Sequence, residues 1–325
     1  MIISIKIFSH ILSSIILHQV QCSRVFSEPF IFNPNETKFF NRQEQFQSYS
    51  SWNSKAITKQ EAIANVTNVI LENMGAFQVP GVVVGFSCKN KTIWTAAFGL
   101  KDIENNVKAK VADVWSLASI SKPLTSTLIA YLVQTGILDL DVPINKYLSK
   151  DVFPQKTYEG KAVNITLRQC LSHTAGLRMS YIPEDLFLNV FKAVNVTQSV
   201  VQFNGDPLLS KPGTEYSYSN YGFQVVGAII EAVLKDTFPN IIRKFYQKLG
   251  MMSTFAESQA LFKNRPRYYE LNTEGQLEQD DVVDRLVWYE GWWPSGGMVS
   301  TVKDLLIFGN LWLSSYYGEN DSNFI

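Results

Sequence analysis

Apolar and polar positions over residues 58–118 read as a helix followed by a hairpin. Thr58-Lys59-Gln60-Glu61 has capping-box spacing and predicts a helix to about Met74. At 100° per residue, Glu61, Asn65, Asn68 and Glu72 share one face, and Ala62, Val66, Val69 and Ile70 share the other. That is the pattern of a surface helix with one packed stripe. Gly81 to Lys89 and Thr92 to Leu100 are β-rich runs joined by a turn at Asn90-Lys91. A helix beside an antiparallel hairpin predicts a helix-on-sheet layer. Val114 to Ala118 reads as a short link into the next element.

From about Ser119 to Gly136 the pattern changes. Leu124, Leu128, Ile129, Tyr131, Leu132 and Val133 leave little polar face, so this helix is expected to be buried. Pro123 disfavours helical geometry at Lys122, yet in a first turn it forfeits no hydrogen bond, so the helix must begin very near Ser119. Residues 137–215 mix short helices with Pro/Gly loops. A longer amphipathic helix follows from about Ser219 to Leu234, with Phe223, Val226, Ile230 and Val233 on one face, and another from Thr237 to Leu249. Arg265 to Leu271 and Val282 to Tyr289 read as strands, and Pro294-Ser295-Gly296-Gly297 as a tight loop. Thr301-Val302-Lys303-Asp304 opens a last helix to about Ser314. No internal repeat stands out.

Composition narrows the classes. With 46% hydrophobic and 18% charged residues, the 325-residue chain can form a large core. Lys+Arg and Asp+Glu both number 29, and no basic patch with interleaved aromatics points to nucleic acid. Lys6 followed by the apolar run Ile7 to Val20 resembles a secretory signal peptide over residues 1–22, with an uncleaved membrane anchor as the alternative. Residues 23–55 lack periodicity and read as a loose arm. Glycosylation acceptor patterns at Asn35, Asn65, Asn90, Asn164, Asn195 and Asn320 agree with a secreted protein; a mitochondrial address is the alternative. Of Cys22, Cys88 and Cys170, the last two either pair as a disulfide or stay as buried thiols. There is no zinc spacing, and no cofactor motif is visible. His10 and His18 lie in the leader, which leaves His173 as the one histidine beyond it, so a histidine-based triad is not expected.

Ser119-Ile120-Ser121-Lys122 supplies other chemistry. Residues i and i+3 on a helix have Cβ atoms ~5–6 Å apart, so Lys122 can take the proton of Ser119 once burial lowers its pKa. The helix N-terminus favours the developing negative charge. Tyr218-Ser219-Asn220 stands at the start of the second long helix. There Tyr218 can shuttle a proton, and Asn220 can hydrogen-bond Lys122 or a substrate amide. Asn220 alone would read as ordinary cap chemistry. Trp288, Trp292 and Trp293 are candidates to line a cleft, with packing the commoner role for such residues.

These blocks occur in one order, with Leu171-Ser172-His173-Thr174-Ala175-Gly176-Leu177 between them and Ser295-Gly296-Gly297-Met298-Val299-Ser300-Thr301 after them. The ordered set resembles the serine beta-lactamase and penicillin-binding-protein superfamily over about residues 56–318, and within it the eukaryotic serine beta-lactamase-like group. The resemblance implies an α+β, beta-lactamase/transpeptidase-like fold: an antiparallel sheet flanked by helices (residues 56–118 and about 280–325) and a mostly helical lobe (about 119–279). It implies Ser119 as nucleophile, Lys122 as general base, Tyr218 as proton shuttle and Asn220 as orienting residue, with the Ser119 N–H as half of an oxyanion hole. His173 falls in a block that is structural in the family. The implied substrate is a small peptide, amide or ester, with no cofactor and no nucleic acid. The family's third motif, Lys- or His-x-Gly on a strand closing the cleft, lies beyond the Gly-Gly block. Because the sequence stops at Ile325 soon after that block, the last strands are expected to be missing, and a non-catalytic glycoprotein that binds a partner is the alternative. Oligomeric state is not readable.

Overall fold

The computed structural model describes residues 58–179, 195–257, 264–280 and 291–317. The leader, the arm and the strand expected at 282–289 lie outside the described residues, as does Trp288. Helix α1 spans Lys59–Ala76 and carries the expected capping box, with Thr58 and Glu61 exchanging side-chain and backbone hydrogen bonds. Its packed stripe differs from the expected one. Val66 and Val69 are 46% and 44% exposed, whereas Ile63, Thr67, Ile70 and Met74 are half-buried. Residues 63, 67, 70 and 74 repeat at intervals of four, three and four, and this stripe reaches the sheet at Gly99, beside the Met74 methyl.

Strand β1 (Gly81–Cys88) pairs antiparallel with β2 (Lys91–Asp102), and β2 with the short β3 (Val107–Lys108). Lys89 and Asn90 both hold positive φ, the geometry of a tight two-residue hairpin turn, so the turn falls one residue earlier than expected. A second three-stranded sheet forms where the sequence showed only links and loops: β4 (Trp115–Ser116), β7 (Phe255–Ala256) and β10 (Met298–Ser300), in the order β4-β10-β7. These strands of two or three residues are too short to show a period. Two further hairpins pair β5 (Lys156–Tyr158) with β6 (Lys161–Val163), and β8 (Tyr269–Leu271) with β9 (Leu277–Gln279). The strand expected over 265–271 is therefore confined to its last three residues.

The buried helix divides in two. Ala118–Ile120 is a 3₁₀ turn that runs into α2 (Ser121–Gln134). Pro123 thus sits in the first turn of α2, where its missing N–H costs nothing. Short helices α3 (Leu167–Leu171) and α4 (Val196–Val201) precede α5 (Asn220–Leu234) and α6 (Phe238–Lys248), and α7 spans Val302–Tyr317. One apolar cluster joins Leu124, Leu128 and Leu132 of α2 to Val225, Ile229 and Ile230 of α5 and to Ile242 and Tyr246 of α6. Helix α5 is buried from Tyr221 to Glu231, so it forms the spine of the helical part. The Glu231 carboxylate accepts from the N–H groups of Val196, Thr197 and Phe238, which ties the starts of α4 and α6 to that spine. Cys170 is a free, fully buried thiol, so the Cys88–Cys170 pair considered from sequence does not form, and Cys88 is disulfide-bonded.

Candidate active site

Three chain segments meet at the start of α2. The first is the 3₁₀ turn, which leaves Ser119 exposed while Lys122, one turn on, is 5% exposed. Ala118, immediately before the serine, holds φ +43°, a sparsely populated conformation for a residue with a Cβ. The second is the segment entering α5, where Ser219 caps the helix through Gly222 N–H, so Tyr218 and Asn220 flank the cap. The third is the loop from Trp292 to Gly297 that leads into β10.

The Lys122 Nζ donates to Ser119 Oγ at 3.2 Å, Asn220 Oδ1 at 2.7 Å and the Ser295 carbonyl at 2.7 Å. Tyr218 Oη lies 2.8 Å from Ser119 Oγ, and the Tyr218 ring sits 4.7 Å below the amine. All four residues singled out in the sequence are therefore within one hydrogen-bonded cluster. Burial lowers the Lys122 pKa to about 7. No carboxylate is among the three oxygens that receive its hydrogen bonds, so nothing there restores the ordinary value. Burial also raises the Tyr218 phenol above its usual value, against an opposing hydrogen bond from Ser119, so it carries its proton at neutral pH.

A neutral amine has two N–H groups and one lone pair. Asn220 Oδ1 and Ser295 O are the two close acceptors, and if both are served the lone pair faces Ser119 Oγ. The cluster can thus draw a proton from the serine hydroxyl while a phenol stands ready to donate one. The N–H of Ser119 lies in the opening turn, where amide groups lack intrahelical partners, and so can face an oxyanion.

Sequence reasoning assigned His173 to turn and packing, and the structure gives that packing a specific target. Its Nδ1 accepts from Ser219 N–H at 3.1 Å, and its carbonyl accepts from Ser217 N–H at 2.8 Å. Its ring lies 4.5 Å from that of Tyr218. His173 therefore grips the backbone on both sides of Tyr218. Burial, reinforced by the Lys122 charge, lowers its pKa to about 4, which keeps Nδ1 an acceptor at neutral pH. The signal for this in the sequence was the block containing His173 itself. Trp293 is buried and donates through Nε1 to the Glu257 carbonyl, and Trp292 packs against the core, so neither is an open cleft wall. Among the described residues no cluster of His, Cys, Asp or Glu could hold a metal ion. A separate cavity of about 200 Å³, bordered by Gly81, Trp115, Arg265 and Tyr268, does not include Ser119.

The chain is 29% identical over 319 residues to the human serine beta-lactamase-like protein LACTB, mitochondrial, covering 79% of this chain and 57% of that protein. It thus spans little more than half the length of that relative. Among solved structures, the octameric penicillin-binding protein homologue from Pyrococcus abyssi matches at 22% identity, with a TM-score of 0.66 over 81% of this chain and 58% of the other. A class C beta-lactamase matches at 20% identity, with a TM-score of 0.62 over 82% and 67%. These two likenesses concern the fold, which is the α+β beta-lactamase/transpeptidase-like one. The sequence profile described as Beta-lactamase matches residues 66–321, and with a match of that extent the chain belongs to the beta-lactamase family.

Proposed function

We propose that this protein is a serine hydrolase that works through an acyl-enzyme on a small peptide, amide or ester. The observation that carries the reading is the Lys122 amine, held by Asn220 and Ser295 and within hydrogen-bond reach of Ser119. Neutral Lys122 takes the Ser119 hydroxyl proton as Oγ attacks the substrate carbonyl. The carbonyl becomes a tetrahedral oxyanion that faces the Ser119 N–H. As the bond to the leaving group breaks, Tyr218, 2.8 Å from Ser119 Oγ, passes its proton to the departing nitrogen or oxygen. The proton that Lys122 took from Ser119 then returns to the phenolate by way of solvent, because the esterified Oγ no longer carries one. Water then attacks the acyl-serine by the same route in reverse, releasing the acid and restoring the hydroxyl. Asn220 keeps the amine aimed throughout.

The test is covalent labelling with a serine-reactive fluorophosphonate. Ser119→Ala is expected to abolish labelling. Lys122→Met should cost roughly 10²–10⁴-fold in labelling rate, the usual range for a positioned base. The wild-type rate should rise with pH and reach half its maximum near 7, because Lys122 acts only after losing its proton. Undiminished labelling of Ser119→Ala would sink the assignment.

The location belongs to the same proposal. Asn65, Asn90 and Asn164 are exposed, as acceptors of N-glycans must be, which supports the secretory route suggested by the leader. The human relative is named mitochondrial, which supports the other address. A gel shift on N-glycosidase treatment of the native protein selects the first, and its absence together with mitochondrial co-fractionation selects the second.

A further inference from the structure

Gln224 is fully buried on α5, one helical turn beyond Asn220 and on the same face. Its Nε2 donates to Ser295 Oγ at 2.8 Å, while its Oε1 has no hydrogen-bond partner among the described residues. A buried amide left half-satisfied is destabilising, so Gln224 is a poor choice for stability alone. Its one hydrogen bond reaches the residue whose carbonyl receives the Lys122 amine.

The loop carrying that carbonyl depends on such ties. Ser295, Gly296 and Gly297 all turn their N–H groups onto the Trp292 carbonyl, and Ser295 Oγ donates to it as well. Thr125 Oγ1 holds the Pro294 carbonyl, and Ser121 Oγ receives the Met298 N–H, so α2 grips the loop on either side of Ser295. At Ser295 itself the contact from outside the loop and α2 is Gln224. Gly227, three residues further on α5, admits the Pro294 ring, because a Cβ there would lie 2.3 Å from Pro294 Cγ. Helix α5 thus reaches both acceptors of the amine: directly through Asn220, and at one remove through Gln224 and Ser295.

We propose that Gln224 is a positioning residue for the general base, acting through the Ser295 hydroxyl to fix the carbonyl that orients the Lys122 amine toward Ser119. The assignment rests on the acyl-enzyme reading for its catalytic meaning, but its geometry can be tested without turnover. Gln224→Met keeps the length and removes the amide. Without its tie the Ser295 carbonyl turns away, and the ammonium loses more than the amine does, because a hydrogen bond to the charged form favours that form. The Lys122 titration should therefore move to lower pH.

The experiment combines two measurements on Gln224→Met, Ser295→Ala and the double variant. In lysine 13Cε NMR, the Lys122 resonance should titrate at lower pH in Gln224→Met than in wild type, with the melting temperature held or raised. In fluorophosphonate labelling, each single variant should fall about tenfold, and the double variant should be no slower than either. An unmoved Lys122 titration, or single-variant losses that multiply in the double variant, overturns the proposal. Should Gln224→Met fail to fold, Ser295→Ala carries the same two readouts alone. If wild type is not labelled yet Lys122 still shifts, the acyl-enzyme reading fails and the positioning role stands. If wild type is labelled and Lys122 does not shift, the positioning role fails and the acyl-enzyme reading stands.

Discussion

At the scale of single residues, Lys122 stands out because the three oxygens that hold its amine are all uncharged. Its pKa is about 7 in the folded protein against 10.5 for the free side chain. Below pH 7 both folded and unfolded chains carry the proton, and the folded protein bears the full cost of a buried charge. Between pH 7 and 10.5 the unfolded chain binds more protons than the folded one, so stability rises with pH across that window. Lys122→Met should therefore melt higher than wild type, with the largest gap below pH 7 and a shrinking one above it. Thermal melts over that pH series check this, and a gap that widens with pH would refute it. His173 supports a second expectation. It holds φ +60°, and asparagine both tolerates that region and can place an acceptor near the position of Nδ1. His173→Asn should keep most of the labelling rate and His173→Leu should lose it, through misplacement of Tyr218 rather than through lost proton transfer by the imidazole. Equal rates for the two variants would remove His173 from the support of Tyr218.

At the scale of elements, α5 approaches the Pro294 loop so closely that the site has no room there for one added methyl group. Gly227→Ala would press a methyl group against the Pro294 ring and Val196 Cγ1, neither of which is the far end of a flexible chain. Overpacking of this kind costs about 1–3 kcal/mol. Because the displaced loop carries the Ser295 carbonyl, labelling should slow as well, and chemical denaturation beside labelling kinetics reads both effects. Elements with a long period or a cap were legible in the sequence: the capping box of α1, the apolar run of α2, and the start of α5 at Tyr218-Ser219-Asn220. The β4-β10-β7 sheet was not, since its strands are too short for alternation and their pairing is set by distant chain. The β8-β9 hairpin merged with its flanks for the same reason. The stripe of α1 was misplaced because Val66 and Val69 look apolar in sequence, whereas packing chose the row through Ile63, Ile70 and Met74. Gln224 was invisible because one polar residue in an apolar run marks neither a site nor a cap until its partner across the fold is known.

At the scale of the whole molecule, the cluster joins residues far apart in the chain: Lys122 meets Asn220 across 98 positions and Ser295 across 173. Ser119, Lys122, Tyr218 and Asn220 could be singled out as candidates from the order of their blocks, but their meeting in space is a property of the core. That core is continuous, with α2, α5 and α6 sharing one apolar cluster directly beneath the site. Two of the three segments that build the site begin on helices of this cluster, and the third is clasped to α2 by Thr125 and Ser121. A site tied to the most buried helices should not open on its own, since local opening is drawn from regions with few buried contacts. Labelling competence and helical circular dichroism are therefore expected to be lost together in a urea titration, with coincident midpoints. Loss of labelling at clearly lower urea, with the helices intact, would mean that the loop from Trp292 to Gly297 can leave the amine while the core holds. The second acceptor of Lys122 would then be a detachable part of the site, and the ties from Gln224, Thr125 and Ser121 would be weaker than their geometry implies.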